Sequence, residues 1–309
     1  MEPRARFALV PPNVVRTTIL GMLDPVTGAP FDLDGTITIL EDGVERDLHV
    51  EPAGQAKTPV EVDIVFAISS DAPRMNDEAE AVAATIVDFG RLLRDGGIDA
   101  RMAAFGHGSI WGGCELGDVV ALSDYLEREG RRGTGRVRSA LEGSRLTDFD
   151  MKDEPGRPNV LTTIVFTERE LDWRPAAHRV FVNVTDSGND LDGADPATFA
   201  TAQACAHWPP ERGVVHTIYS GEPIDQVEFE PGKVDDPGAL SQCTGGVVMS
   251  VSPSAQELKL ADMPMTSALL ASVVVEYKTA DFSKPHDITV ILRRNGEERR
   301  SEYPAVSYR

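Results

Sequence analysis

Two polar loops hold the side chains best suited to chemistry. Ser69-Ser70-Asp71-Ala72-Pro73-Arg74-Met75 follows the apolar run 62–68, and Thr185-Asp186-Ser187-Gly188-Asn189-Asp190 follows the run 179–184. Clustered hydroxyls and carboxylates are the hard oxygen donors that Mg²⁺ or Ca²⁺ requires, and Asp71 and Asp186 are the charged candidates here. Arg74 brings a positive charge into the same loop, which opposes a cation there. The competing reading, and the favoured one, is that Ser69, Ser70, Asp71 and Asp186 cap helices and bond the loops to one another.

The elements that must position these loops are legible in the apolar pattern. Runs 62–68 and 179–184 are nearly unbroken and rich in β-branched and aromatic residues, as strands buried on both faces must be. After the first, Asn76 reads as a helix N-cap with Asp77 and Glu78 in the first turn. Ala79, Val82, Ala83, Ile86, Phe89, Gly90 and Leu93 then recur at helical spacing until Gly96-Gly97 stops the helix. A strand at 98–105 completes a β-α-β unit with a right-handed crossover. Helices near 160–172 and 196–207 alternate with strands at 179–184, 214–219 and 247–251, and Leu240 lies in a short helix. That alternation specifies an α/β, doubly wound and mostly parallel sheet, whose ligands bind outside the carboxyl ends of the strands.

The flanks read differently. Residues 5–52 are β-rich, with a hairpin turn signal at Glu41-Asp42-Gly43. After about residue 262 strands are expected at 272–278, 288–294 and 297–303, the last two joined by Asn295-Gly296. Neither flank has enough strands for a stable core, so the two are expected to form one β-sandwich-like domain, 5–52 plus 265–308, with the α/β domain 60–252 inserted. Ile19, Ile37, Ile39, Val274, Ile288 and Val290 should share its interior.

Composition limits the partners. Fifty acidic residues against 30 basic ones give a formal charge of −20, which argues against nucleic acid or an anionic membrane surface. The basic cluster Arg128, Arg131, Arg132, Arg136 and Arg138 reads as a solvated segment, with a docking patch for an acidic partner as the alternative. No apolar run approaches the roughly 20 residues of a membrane-spanning helix. Met1-Glu2-Pro3-Arg4 is not followed by the apolar core of a signal peptide, so the protein is either cytoplasmic or exported with its leader removed. Cys205 and Cys243 read as buried small side chains or as a bridge in an oxidising compartment; the odd count leaves Cys114 free.

Other arrangements of reactive groups are weaker. Asp186, Asp190, Asp192 and Asp195 lack the spacing of a calcium loop, and Asp195 before Pro196 reads as a cap. The glycines of 106–112 lack dinucleotide spacing and open no apolar-periodic helix. There is no nucleophile elbow, and a triad of Ser69 or Ser109 with His107 or His178 has no geometry to fix it. His49, His216 and His286 fall in strand-like runs as surface or satisfied residues.

The segment 63–75 with its following helix and Gly97-Ile98-Asp99-Ala100-Arg101, then 173–186, then Leu240-Ser241-Gln242-Cys243-Thr244-Gly245-Gly246, resembles a von Willebrand factor A (VWA) domain over about 60–252. Thr38-Ile39-Leu40-Glu41-Asp42-Gly43-Val44-Glu45 resembles the β segment preceding such domains in many secreted bacterial proteins. The resemblance implies a protein-binding, adhesion-type module with a metal-ion-dependent adhesion site. That site takes an Asp-x-Ser-x-Ser loop, a Thr from a middle loop and a later Asp. Here Ser69 stands where the first Asp is expected, the loop 151–159 supplies no obvious Thr, and only Asp186 matches. The site is therefore expected to be degenerate, with no cofactor or at most weakly held Mg²⁺ or Ca²⁺. The function expected is non-enzymatic protein binding through the rim of loops, with Ser69, Ser70, Asp71, Arg74, Trp111 and Asp186 as its residues. The alternative is a hydrolase using the same rim, which a deep cleft of convergent titratable groups would favour.

Overall fold

The computed structural model describes residues 3–23, 30, 37–69, 78–107, 112–126, 159–190, 201–222, 224, 227–229, 233–253, 255, 257–294 and 297–308. Its centre is a six-stranded sheet of β6 (Val60–Ser69), β7 (Ile98–His107), β8 (Gly112–Gly113), β9 (His178–Thr185), β11 (Val214–Tyr219) and β13 (Val248–Ser250). Their order is β13-β11-β9-β6-β7-β8, parallel except for β8 at the edge. Numbered within the sheet this is 3-2-1-4-5-6, the order of a doubly wound sheet, as the alternation of elements predicts.

Both faces of that sheet are covered, which explains the unbroken apolar runs. Val60, Val62, Ile64, Phe66 and Ile68 face Val82, Ile86, Phe89 and Leu93 of α1 (Glu78–Asp95). Val65, Ala67, Phe105 and Phe181 face Val160, Leu161 and Ile164 of α3 (Val160–Glu170) on the other side. Between these helices in sequence lies α2 (Val119–Leu126), whose Val119 packs so close to Gly90 of α1 that a Cβ there would sit 2.8 Å from Val119 Cβ. Helix α1 ends as expected, with Gly97 at φ +82° in a place where a side chain would strike the carbonyl of Ala53. Short helices α4 (Thr201–Ala206) and α5 (Ala239–Thr244) are joined by a Cys205–Cys243 disulfide. Cys114 is half-buried and takes part in no disulfide among the described residues; its Sγ accepts from the Ala104 N–H (3.4 Å).

The chain ends build two antiparallel sheets around one apolar interior. One is ordered β1 (Ala5–Val10), β2 (Val14–Ile19), β14 (Val273–Lys278), β5 (His49–Pro52). The other is β16 (Glu297–Val306), β15 (His286–Arg294), β3 (Ile37–Glu41), β4 (Val44–Glu45). The run 44–50 divides between the two sheets. The β3–β4 hairpin turns through Asp42 (φ +52°) and Gly43 (φ +76°), the left-handed pair a two-residue type I′ turn needs. Ile19, Ile39, Ile288 and Val290 share the interior, with Ile37 packed at its margin.

Val274 does not. Because neighbouring strand residues face opposite sides, Val273, Val275 and Tyr277 enter the sandwich while Val274 enters the α/β core with Leu20. The chain after 262 also forms a helix before its strands. In α6 (Pro264–Leu270), Met265 and Leu269 belong to the α/β core. The fold is thus a doubly wound sheet inserted in a β-sandwich-like domain built from both ends.

Candidate functional site

Parallel register brings the strand ends to one level. Ser69 pairs with His107 of β7, Ile68 with Val184 of β9, and Thr185 with Tyr219 of β11. Ser69 and Asp186, the two described members of the expected site, therefore stand at the same end of adjacent strands. Ser70, Asp71, Arg74 and Trp111 lie outside the described residues, as do the loop 151–158, Asp192, Asp195, Asn295-Gly296 and the 128–138 arginines.

Ser69 continues the face of Val65 and Ala67 and is 2% exposed. Its Oγ has no hydrogen-bond partner among the described residues. Thr185 does close its own turn: Oγ1 donates to the carbonyl of Ser187 (3.1 Å) and accepts from its N–H (3.2 Å). Asp186 follows, half-buried. The Ser220 N–H donates to the Thr185 carbonyl (3.1 Å), and a Cβ on Gly221 would lie 2.3 Å from the Asp186 carbonyl and 2.4 Å from the Tyr219 hydroxyl. Glycine alone allows that approach. Burial, with the negative charges of Asp186, Glu222 and Asp236 added, raises the Tyr219 phenol above its ordinary range and keeps it a neutral donor.

A ledge continues from this loop. Asn189 and Asp190 form β10, antiparallel to β12 (Val234–Asp235). Asn159 caps α3 by accepting from the Leu161 N–H (2.9 Å) while its amide donates to the Asp190 carbonyl (2.9 Å); Asn189 Oδ1 accepts from the Val160 N–H (3.3 Å). Asp235 accepts from the Thr201 N–H (2.8 Å) at the start of α4. None of Asn159, Asn189, Tyr219, Gly221 or Asp235 was singled out for this role by sequence. The readable signals were an Asn directly before an apolar helical run, and a Gly two residues past a buried strand.

A pairing of Ser69 with His178 fails on distance, whereas His107 is the register partner of Ser69. His178 is level with Val62, seven residues below Ser69 along β6, which is about 23 Å at the rise of a strand. At that far end its Nε2 meets the hydroxyl (3.0 Å) and carbonyl (3.1 Å) of Thr18. His216 is buried with Nδ1 accepting from the Val247 N–H (3.2 Å), and exposed His49 meets Glu51 (2.9 Å). Both match the reading of satisfied strand residues.

The antiparallel edge strand on a 3-2-1-4-5-6 sheet, with Asp186 leaving the strand next to the central one, decides the resemblance. The α/β unit is VWA-like. No protein-family model matches the chain, and no curated protein matches it. Among solved structures it is similar to proximal thread matrix protein 1 from the mussel byssus, described with a zinc-occupied MIDAS motif. The identity is 11% over 75% of this chain and 50% of that one, with a TM-score of 0.40. It is also similar to the pilus adhesin SpaC from Lactobacillus rhamnosus GG, at 9% identity over 98% of this chain and 53% of that one, with a TM-score of 0.42. This chain spans about half the length of these proteins. No helix among the described residues is long and apolar enough to cross a membrane.

A VWA-like fold implies a metal ion at this end of the sheet, and of the residues expected to hold it Ser69 and Asp186 are described. Among the described residues Ser69 supplies a neutral hydroxyl, Thr185 is committed to Ser187, and no three His, Cys, Asp or Glu side chains converge. Affinity for hard cations follows the number and charge of such oxygens.

Proposed function

We propose that this protein is a non-enzymatic, adhesion-type binding module. It engages a protein partner through the loop rim at the carboxyl ends of its VWA-like sheet, with metal dispensable. On this reading Ser69, Ser70, Asp71, Arg74, Trp111 and Asp186 form the rim of an α/β unit spanning 60–252. A sandwich of 5–52 plus 265–308 holds that unit from its opposite end. The observation that carries the reading is Ser69: a buried hydroxyl closes the central strand where a metal-dependent rim needs a carboxylate. Trp and Arg are the side chains most enriched among the anchors of protein interfaces.

Calorimetric titration of Mg²⁺ into the full chain tests the metal half. Affinity weaker than micromolar is expected, together with a partner set in pull-downs that EDTA leaves unchanged and Asp186→Lys depletes. Micromolar or tighter Mg²⁺ binding that Asp186→Ala abolishes would overturn metal independence. Turnover in an esterase, protease and phosphatase screen, removed by Ser69→Ala, would replace the binding module with a hydrolase.

A further inference from the structure

The opposite end of the same sheet carries a concentration of arginines that no function so far uses. The 3-10 turn Pro210–Arg212 lies between β1 and β9, with one arginine on each side and one within it. Arg6 of β1 donates from Nη2 to the Glu211 carbonyl. Gly213, next after the turn, sits against Arg179 of β9 so closely that a Cβ there would be 2.8 Å from Arg179 Cβ. Two of the guanidinium groups lie on indole faces: Arg179 is 4.7 Å from the Trp173 ring centre and Arg212 is 5.0 Å from that of Trp208.

Stacking occupies the face of a guanidinium and leaves its N–H edge for an oxygen acceptor. Arg212 has that acceptor, since its Nε donates to Glu168 Oε1 (2.7 Å). Arg6 has the Glu211 carbonyl. Arg179 feels the negative charges of Glu168 and Asp63 but has no hydrogen-bonded carboxylate or carbonyl among the described residues, and its Nε is buried without a partner. A buried charged donor without an acceptor is costly, and arginine edges are shaped for the two oxygens of a planar or tetrahedral anion. The like charges of Arg6 and Arg179 also disfavour each other: burial first, then the neighbouring guanidinium, lowers the pKa of Arg6. An anion between them would relieve both deficits. In a chain of net charge −20 such a locus is an exception that bulk charge does not explain.

We propose that Arg179, with Arg6 beside it, forms an oxyanion-binding subsite at the junction of the sandwich and the α/β unit. It takes a carboxylate or a phosphate or sulfate group in the edge of the Arg179 guanidinium, while Trp173 holds the plane. The stacked, preset guanidinium loses little rotamer freedom on binding, so one anion suffices to complete it.

The test is titration of the full chain at fixed ionic strength, followed by calorimetry and by ³¹P linewidth. Inorganic phosphate is used in one arm and glutarate in the other. Saturable binding in at least one arm is expected, weakened about tenfold or more by Arg179→Gln and unchanged by Arg91→Gln on the exposed face of α1. Phosphate binding alone assigns the subsite to phosphate or sulfate groups, and glutarate binding assigns it to the carboxylates of an acidic partner. No saturable binding in either arm, or binding that Arg179→Gln leaves intact, overturns the proposal. Should Arg179→Gln fail to fold by near-ultraviolet circular dichroism, Arg6→Gln carries the same comparison.

Discussion

The two ends of the central sheet solve opposite problems. At the amino end, Arg179 Nε apart, the buried polar groups of the sheet enter the protein paired. Asp63, fully buried, accepts from Nε (3.1 Å) and Nη2 (3.0 Å) of Arg101, and from the N–H (2.9 Å) and Nε (2.9 Å) of Arg174. Arg4 reaches across to the carbonyls of Pro210 (2.7 Å) and Thr244 (2.6 Å), and His178 is fixed on Thr18. At the carboxyl end, Ser69 Oγ, both amide atoms of Asn183, Asn189 Nδ2 and Thr201 Oγ1 are buried with no partner among the described residues. A fold that pairs most of the buried polar groups at one end and leaves several at the other short of partners has placed more of its stability at the first. The second is where a binding role costs least stability, because fewer bonds must break for the loops to rearrange.

The largest effect should come from the paired end. Asp63→Ala leaves two guanidinium groups facing each other without their carboxylate, and breaking a buried ion pair of this kind costs about 3–5 kcal/mol. Urea denaturation of the variant should show a loss in that range with an unchanged slope. A loss under about 1 kcal/mol would mean the amino end is no better bonded than the rim, given how such pairs behave when broken.

Acid should act on the same end next. Burial, then the positive charge of Arg6, lowers His178 to about 3, and burial, then Arg4, lowers His216 to about 4. Both folded values lie below the ordinary histidine value, so the unfolded chain takes up these protons first. Stability is therefore unaffected above about pH 6.5 and falls as pH drops below it. For His216 the cost approaches about 3 kcal/mol near pH 4, and His178 adds a similar amount. Unfolding midpoints at pH 7 and pH 5 should separate clearly, and the His178→Gln, His216→Gln double variant should narrow the gap. Equal midpoints in the native protein would show that these imidazoles charge without penalty.

The contrast between the ends also governs what the sequence reveals. Strands buried on both faces announce themselves, so 62–68, 98–105 and 214–219 are legible to within a residue or two. The hairpin at Asp42-Gly43 is legible because only a few residue types tolerate its backbone. Val274 is misplaced because β14 is covered on both sides, and alternation cannot say which layer lies on which face. The helix Pro264–Leu270 is hidden because seven residues are too few for helical periodicity. At the site, Asp186 is readable as the carboxylate ending a buried strand. The ledge made by Asn159, Asn189 and Asp235 is not, since its contacts join residues 29 to 34 apart in sequence. The proposed arginine subsite is equally silent, because Arg6 and Arg179 come together only when the sandwich closes on the sheet.

The smallest effect, and the sharpest test of the comparison, lies in the middle of β9. Asn183 is fully buried, flanked in register by Ala67 and Thr217, and neither its amide nitrogen nor its oxygen has a partner among the described residues. Thr217 beside it is bonded: its hydroxyl lies 3.0 Å from the Pro237 carbonyl and 2.7 Å from Ser241 Oγ. Replacing an unbonded buried amide by an apolar side chain of similar volume removes a desolvation cost and no bond. Asn183→Leu should therefore be neutral or stabilising, by up to about 1–2 kcal/mol. Thr217→Val deletes a made bond of the same layer and should cost about 1 kcal/mol. Opposite signs for two adjacent polar residues, read by thermal and urea unfolding, would place the transition from bonded to open polar groups within one row of the sheet. If Asn183→Leu instead costs about 2 kcal/mol or more, its amide is bonded in solution through ordered water, at the energy a buried hydrogen bond carries when broken. The carboxyl end would then be as fully satisfied as the amino end, and the division of labour between them would fall.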